Sequence, residues 1–127
     1  MTQFKLVITH FKILDTINDL NKDNLYPTAE GVYKIVAGIY DSEMKDYTHL
    51  KTYGTLISYG SKKVARYIMM LQRKGYVTKI FDESTNNLYL QLTELGILSL
   101  EKYHKRHKNP YIKKSSENKK TIVKITK

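Results

Sequence analysis

The pattern of hydrophobic and polar positions divides the chain into helical segments and one pair of strands. Apolar residues recur with a helical period in four segments, which predicts helices over residues 4–20, 29–40, 58–74 and 93–105. Between the last two, alternating apolar residues over 77–81 and 88–92 predict the strands of a β-hairpin, and the polar segment 82–87 predicts its turn. The predicted order is therefore three helices, a hairpin and a final helix. We expect Thr28 to cap the second helix, and the last helix to close the core through its apolar residues, Leu95, Leu98, Leu100 and Tyr103.

The first predicted helix is apolar on two sides. One side carries Phe4, Val7, Ile8, Phe11 and Leu14, and another carries Leu6, Ile13, Ile17 and Leu20. Such a helix is either buried between neighbours in its own chain or shared with a second subunit, and the pattern leaves both open. His10 lies among these residues, and we expect it to be a packed side chain because no second ligand lies at metal spacing.

The third predicted helix is apolar on one side and basic on the other. Its apolar side carries Val64, Tyr67, Ile68 and Leu71. Its cations lie on the opposite side and at the margins: Lys62, Lys63, Arg66, Arg73 and Lys74. We expect Ser58 or Ser61 to cap its N-terminus, and Gly75 to end it in a left-handed conformation.

The order of the elements predicts the fold class. The basic helix is followed by Gly75, by the hairpin and by a Leu92-Thr93-x-x-Gly96 helix start, an order typical of a winged helix (winged helix-turn-helix). The expected fold is therefore α+β, mostly α: a winged helix with an extra N-terminal helix and a basic C-terminal tail. We expect an N-terminal helix and linker over 1–27, the winged-helix domain over 28–107, and over 108–127 a basic tail that is disordered by default.

Composition and charge narrow the class of protein. The 127 residues suffice for one core and carry a formal net charge of +10. Ten Lys and Arg against two acids follow from Glu101 onward, and such basic tails commonly contact nucleic-acid phosphates. The chain has no cysteine, which excludes disulfides and thiolate zinc sites, and it has no apolar run long enough to span a membrane. We therefore expect a soluble, cytoplasmic protein that does not bind membranes.

Catalytic and cofactor motifs are absent from the sequence. It contains no GxxxxGK[ST], GxSxG, HExxH or GxGxxG pattern. Asp41, Glu43 and Asp46 lie close together without a partner histidine and are expected to be solvated. His104 and His107 are three residues apart without a third ligand, so a metal site is not expected there. We predict that the protein is not an enzyme and uses no cofactor.

A longer set of residues resembles a known family. From Gly31 to Glu101 the chain resembles the RQC domain, the winged helix toward the C-terminus of RecQ-type DNA helicases. The residues that carry the resemblance are Val32, Tyr33, Ile35, Val36 and Gly38; His49-Leu50-Lys51-Thr52-Tyr53-Gly54; Ile68, Leu71 and Gly75-Tyr76-Val77; and Leu90, Leu92, Thr93 and Glu94. The sequence contains neither the motor domains nor the Cys-rich zinc subdomain of those helicases. The resemblance therefore implies a stand-alone RQC-like DNA-binding protein without a helicase motor.

The expected function is binding of double-stranded DNA, as a duplex, an end or a fork. The expected contacts to phosphates or groove edges are Lys62, Lys63, Arg66, Arg73 and Lys74, supported by Lys51 and Lys79. In RQC domains the wing hairpin acts at a duplex end, and the resemblance implies that Phe81 and Tyr89, which flank the turn, stack on an end base pair. Asp82 and Glu83 place negative charge at the tip, which opposes this role.

Two alternatives stay open. A dimeric transcription regulator of the MarR/PadR sort would form a homodimer through the first helix and bind a palindromic site. A winged-helix adaptor would bind a protein partner, and its affinity for DNA would not exceed what the tail supplies.

Overall fold

Residues 5–107, which the computed structural model describes, form four α-helices and one antiparallel hairpin. The order along the chain is α1 (Ile8–Lys22), α2 (Ala29–Ala37), a short 3-10 turn (Lys45–Tyr47), α3 (Ser61–Arg73), β1 (Val77–Asp82), β2 (Asn87–Leu92) and α4 (Glu94–Arg106). The predicted α+β class, mostly helical, is confirmed, and the order of elements is compatible with a winged helix. The predicted tail over 108–127 and the first residue of the predicted N-terminal helix lie outside the described residues.

Helix α1 lies at the centre of the fold and contacts α2, α3, α4 and β2. Ile13, Leu14 and Ile17 are fully buried on it. Thr16 is also fully buried, and its hydroxyl lies 2.6 Å from that of Thr52 in the segment before α3. The two apolar sides of α1 are therefore covered by neighbours in the same chain.

Left-handed glycines end two of the helices. The expectation for Gly75 is confirmed: its φ is 87°, and its N–H and that of Tyr76 donate to the last turn of α3. Gly38, with φ 75°, ends α2 at Ala37 in the same way, three residues earlier than the pattern predicted. The pattern had extended the predicted helix past Gly38 because the next residue is apolar. Periodicity does not report backbone conformation, so it did not reveal the left-handed glycine.

The N-terminal ends of the helices differ in their caps. Thr28 accepts the N–H of Gly31 at 3.0 Å and caps α2, as the sequence predicted. The prediction that Ser58 or Ser61 caps α3 was wrong: the cap position is Gly60, which has no side chain to accept a hydrogen bond. Helix α3 therefore starts with its first N–H groups open to solvent or to a ligand.

The linker between α1 and α2 covers one edge of the hairpin. The N–H of Leu90 donates to the carbonyl of Pro27 at 2.7 Å, and the N–H of Leu92 donates to the side-chain oxygen of Asn21 at 3.0 Å. Strand β2 therefore has protein on both edges, with β1 on the other side. This connection ties the hairpin to the end of the central helix.

The segment between α2 and α3 is hydrogen-bonded to the end of α2. The N–H groups of Gly54 and Leu56 donate to the carbonyls of Ile35 and Val36 at 2.8 and 2.7 Å, and the Tyr53 hydroxyl donates to that of Ile39 at 3.0 Å. Tyr53 and Gly54, which belong to the residues that carry the family resemblance, therefore form hydrogen bonds within the chain.

Helix α4 closes the core, but with fewer residues than its pattern predicted. Leu100 is buried and Tyr103 stacks on Phe11 with 3.9 Å between ring centroids. Leu95 and Leu98, which the pattern assigned to the buried side, are about half exposed, at 47% and 50%. The buried side of α4 instead includes Gly96, which packs directly on the backbone of Tyr76.

The contact at Gly96 predicts a strong effect of one methyl group. A Cβ at this position would overlap the Tyr76 carbonyl oxygen, so Gly96→Ala is expected to lower the free energy of unfolding by about 2 kcal/mol in urea denaturation. The matched control is Gly31→Ala in α2, where a Cβ meets only ordinary contacts and helix propensity favours Ala by about 0.5 kcal/mol. Equal effects of the two substitutions would contradict the close approach.

Candidate nucleic-acid interface

Helix α3 presents opposite faces to the core and to solvent. Val64, Ile68 and Leu71 are buried, and Tyr67 is half-buried beside them. The exposed face carries Lys62, Arg66, Met69 and Arg73. These positions follow the helical repeat, so the cations form one stripe along the axis, with the Met69 side chain between the two arginines.

This stripe lacks acidic neighbours in sequence and in space. No Asp or Glu occurs between Asp46 and Asp82. Among residues 5–107, Lys62, Arg66 and Arg73 form no ion pair with a carboxylate. Because like charges held together on one helix repel each other, the face is favourable for an anionic partner.

Lys34, which lies outside α3, is paired with carboxylates of the fold. The Lys34 ammonium lies 3.1 Å from Glu43 and 3.3 Å from Asp41, and these hydrogen bonds raise the pKa of Lys34. Asp41 also accepts the N–H groups of Met44 and Glu43, which together with Lys34 lower its pKa. Two of the three acids that the sequence placed in solvent, Asp41 and Glu43, therefore pair with Lys34, whereas Asp46 is exposed as expected.

The remaining predicted cations extend the basic surface to both ends of α3. The Lys63 ammonium lies 4.7 Å from the centre of the Tyr59 ring, a cation–π contact that holds it near the helix start. Lys74 is exposed at the C-cap, and Lys79 is exposed on β1, opposite Leu90. The structure thus brings Lys62, Lys63, Arg66, Arg73, Lys74 and Lys79 onto α3 and the strand that follows it.

The structure separates Lys51 from this set. Its ammonium lies 3.0 Å from Asp19 and 3.4 Å from Asp15, both on α1. Burial opposes its charge, but the hydrogen bond to Asp19 and the charge of Asp15 outweigh burial and raise the pKa of Lys51. Its assignment as a DNA contact stays a prediction, but Lys51 has two carboxylate partners within the fold, which a count of charges in sequence does not reveal.

Asp15 is a buried charge that the sequence pattern missed. Its carboxylate is 2% exposed and lies 2.8 and 2.9 Å from Nε2 of His104 on α4. Together with Lys51, these residues join α1, α4 and the segment before α3. In the sequence Asp15 lies between Leu14 and Thr16. Its partners come close to it only when α1, α4 and the segment before α3 pack together.

The two aromatic residues of the hairpin, Phe81 and Tyr89, do not form one surface. Phe81 pairs with Leu88 and Tyr89 pairs with Ile80, so Phe81 and Tyr89 lie on opposite faces of the hairpin. The Tyr89 hydroxyl lies 3.0 Å from that of Thr85 in the turn. This placement argues against both rings stacking on one end base pair, which stays an untested expectation.

The turn of the hairpin carries negative charge from Asp82 and Glu83. Asp82 accepts hydrogen bonds from the hydroxyl and the N–H of Ser84 at 2.8 and 3.0 Å, and these bonds lower the pKa of Asp82. Glu83 is exposed next to it. An ionised tip repels phosphates, so any contact between the hairpin and DNA is expected at the Lys79 end.

His10 is packed at the start of α1, as the sequence predicted. Its Nδ1 accepts the N–H of Val7 at 2.9 Å, and its ring meets the edge of Tyr67 with 5.0 Å between centroids. Burial lowers the pKa of His10. Because Nδ1 accepts a hydrogen bond, the neutral ring carries its proton on Nε2, and protonation at Nδ1 would break this bond.

No protein-family model matches this chain, and no curated protein sequence is significantly similar to it. Within residues 5–107, no three side chains of the metal-binding types come together as a metal site. Over the same range, no helix has both the length and the apolar character needed to cross a membrane. Function is therefore inferred from α3 and its surroundings.

The ion pairs of Lys51 predict a structural role rather than a DNA contact. Lys51→Gln should lower the free energy of unfolding by about 1 kcal/mol, a value that allows for solvent screening of this part-exposed pair, because buried Asp15 loses one cationic partner. Lys45→Gln, at an exposed lysine without a described ion pair, should leave stability unchanged. Urea denaturation measures both, and a loss of duplex affinity in Lys51→Gln would contradict this assignment.

The environment of His10 predicts a pH-dependent stability. Its folded pKa lies below the unfolded value near 6.5, so the stability that its neutral form contributes is present above that value and is lost as the pH falls. His10→Gln keeps an acceptor for the Val7 N–H and removes the titration. In urea denaturation from about pH 7 to about pH 5, the native chain should lose more stability than the variant. Parallel curves would show that His10 does not titrate in this range.

Proposed function

We propose that this protein is an RQC-like winged-helix protein that binds double-stranded DNA through α3. The observation that carries the proposal is the basic stripe of Lys62, Arg66 and Arg73, which has no carboxylate partner among the described residues while Lys34 and Lys51 each have at least two. The charges of Lys34 and Lys51 are offset by carboxylates within the fold, whereas those of the stripe are not.

The stripe has the dimensions that duplex DNA requires. Arg66 and Arg73 are seven residues apart, which places them about 10 Å apart along the helix axis. The major groove admits an α-helix, and guanidinium groups bind phosphates or guanine edges through two hydrogen bonds. The exposed Met69 between them supplies an apolar contact of the kind that meets thymine methyl groups.

The open start of α3 adds to this surface. Gly60 at the cap position leaves the first N–H groups of the helix without a side-chain acceptor, and no acid lies in the first turn. Helix N-termini favour phosphate because their N–H groups point outward and their dipole is positive. With Lys62 and Lys63 beside it, this end is suited to the DNA backbone.

The hairpin is assigned a supporting role in this proposal. Lys79 lies on β1 next to α3, whereas the tip carries ionised Asp82 and exposed Glu83. The aromatic residues on opposite faces do not form a wedge for parting strands. We therefore favour binding along a duplex over strand separation at an end.

Burial of α1 weighs against dimerisation through that helix. Its central residues are covered by α2, α3, α4 and β2, and its exposed apolar residues are confined to Val7 and Ile8 at the first turn. A homodimer of the MarR/PadR sort would need another surface.

Charge reversal on α3 tests the proposal. The double change Arg66→Glu and Arg73→Glu should weaken binding to a labelled blunt duplex by about tenfold or more, because two phosphate contacts become repulsive. Fluorescence anisotropy at about 0.05 and about 0.15 M salt also gives the slope of log affinity against log salt, which should fall by about 1.8 if two phosphate contacts are lost. Circular dichroism checks that the variant stays folded.

The matched control reverses two exposed lysines outside α3 and the hairpin, Lys22→Glu and Lys45→Glu, and so changes the net charge equally. It should retain most of the affinity. Equal weakening by both variants would mean that overall charge, not α3, governs binding. A chain ending at His107 shows whether binding depends on residues 108–127; loss of all affinity in it would favour the adaptor alternative.

A further inference from the structure

A groove opens beside the basic stripe, between α3 and the first turn of α1. Its volume is about 320 Å³, and it is lined by His10, Lys63, Arg66, Tyr67 and Met70. The four residues from α3 follow the spacing i, i+3, i+4 and i+7 and so form one flank of that helix, with His10 as the opposite wall. A volume of this order is within the range of small-molecule sites in proteins.

The aromatic walls of the groove are held in place before any ligand binds. The His10 ring, 7% exposed, is fixed by the N–H of Val7 and packs edge-on against Tyr67. Tyr59 packs behind Tyr67 with 6.2 Å between ring centroids, and its hydroxyl lies 3.3 Å from that of Thr9. A site with fixed walls loses little conformational entropy on binding a rigid, flat ligand.

The charge of the groove is positive. Lys63 and Arg66 line it, and neither forms an ion pair with a carboxylate in the part of the chain that the structure describes. Burial keeps His10 neutral, so the ring adds a polar edge and no further charge. Tyr67 and Met70 supply a ring and a polarisable thioether, both of which pack well against aromatic ligands.

We infer that this groove binds a planar aromatic anion, a flat ring that carries a carboxylate, and that such a ligand competes with DNA for Arg66. The ring would lie against Tyr67 and Met70, and the carboxylate would meet the guanidinium of Arg66 and the ammonium of Lys63. The competition rests on the proposed function because Arg66 belongs to both surfaces. The binding of the ligand itself does not.

Titration with a defined probe tests the binding. The full-length protein, labelled with ¹⁵N, is titrated with 2-naphthoate and observed by amide chemical shifts. Saturable shifts are expected around His10 and along the Lys63–Met70 flank. Acetate, which has charge without a ring, and 2-naphthalenemethanol, which has a ring without charge, should each bind more weakly. Absence of saturable shifts, or equal shifts with acetate, would overturn the site.

Two single variants on α3 separate the groove from the DNA stripe. Arg66→Gln should weaken naphthoate binding by about tenfold, the loss of one charge-assisted hydrogen bond, and should also weaken duplex binding. Arg73→Gln lies outside the groove and should weaken duplex binding only. Both residues are exposed, so folding is expected to persist. Unchanged naphthoate affinity in Arg66→Gln would overturn the proposed role of that arginine.

Anisotropy of the labelled duplex measures the competition. Naphthoate at concentrations that saturate the groove should release the duplex from the native chain, and acetate at equal ionic strength should not. Naphthoate binding without release of a bound duplex would overturn the competition. If the protein binds naphthoate in the groove but binds no duplex at all, the proposed function fails while the ligand site stands.

Discussion

The burial of the middle of α1 is the constraint on which the rest of the structure depends. A helix with Ile13, Leu14 and Ile17 fully buried must be surrounded, and α2, α3, α4 and β2 each supply part of its cover. Burial of these side chains contributes about 1.5–3 kcal/mol each, so the arrangement around α1 is strongly favoured. Since α3 covers α1 with one face only, its opposite face is left for solvent, and the cations of α3 occur on that face.

The fold distributes charge unevenly around this centre. Asp15 and Asp19 on α1 bind Lys51, and Asp41 and Glu43 after α2 bind Lys34, so neither lysine adds net positive charge to its surroundings. The 35 residues from Tyr47 to Phe81 contain seven Lys and Arg and no acid, and all of these cations except Lys51 lie on α3 or β1. A net charge alone would favour weak binding to any polyanion, whereas this segregation directs an anion to one helix.

Sequence periodicity predicted the order and type of the elements because the apolar residues of each helix recur with the helical period and the two strands lie on either side of a polar turn. It was weaker where backbone conformation or distant contacts decide the outcome. Gly38 ended α2 earlier than the pattern predicted. On α4 the buried side includes Gly96 and not Leu95 or Leu98, because only glycine fits against the Tyr76 carbonyl. Lys51 pairs with carboxylates on α1, and one of them, Asp19, lies 32 residues earlier in the sequence. The faces of Phe81 and Tyr89 depend on the hairpin register, which the turn sets and the alternation of residues alone does not.

The cover on β2 has a consequence for solubility. Because the Pro27 carbonyl and the Asn21 side chain bind the outer edge of β2 at Leu90 and Leu92, that edge is partly covered, whereas the outer edge of β1 has no backbone partner within the described residues. Such an edge is a template for strands of other molecules, and here it carries exposed Ile80 and Phe81. Lys79 lies in the same strand, and a charged side chain in an edge strand opposes pairing with the edges of other molecules. We therefore expect this lysine to reduce edge-to-edge association, whatever else it binds.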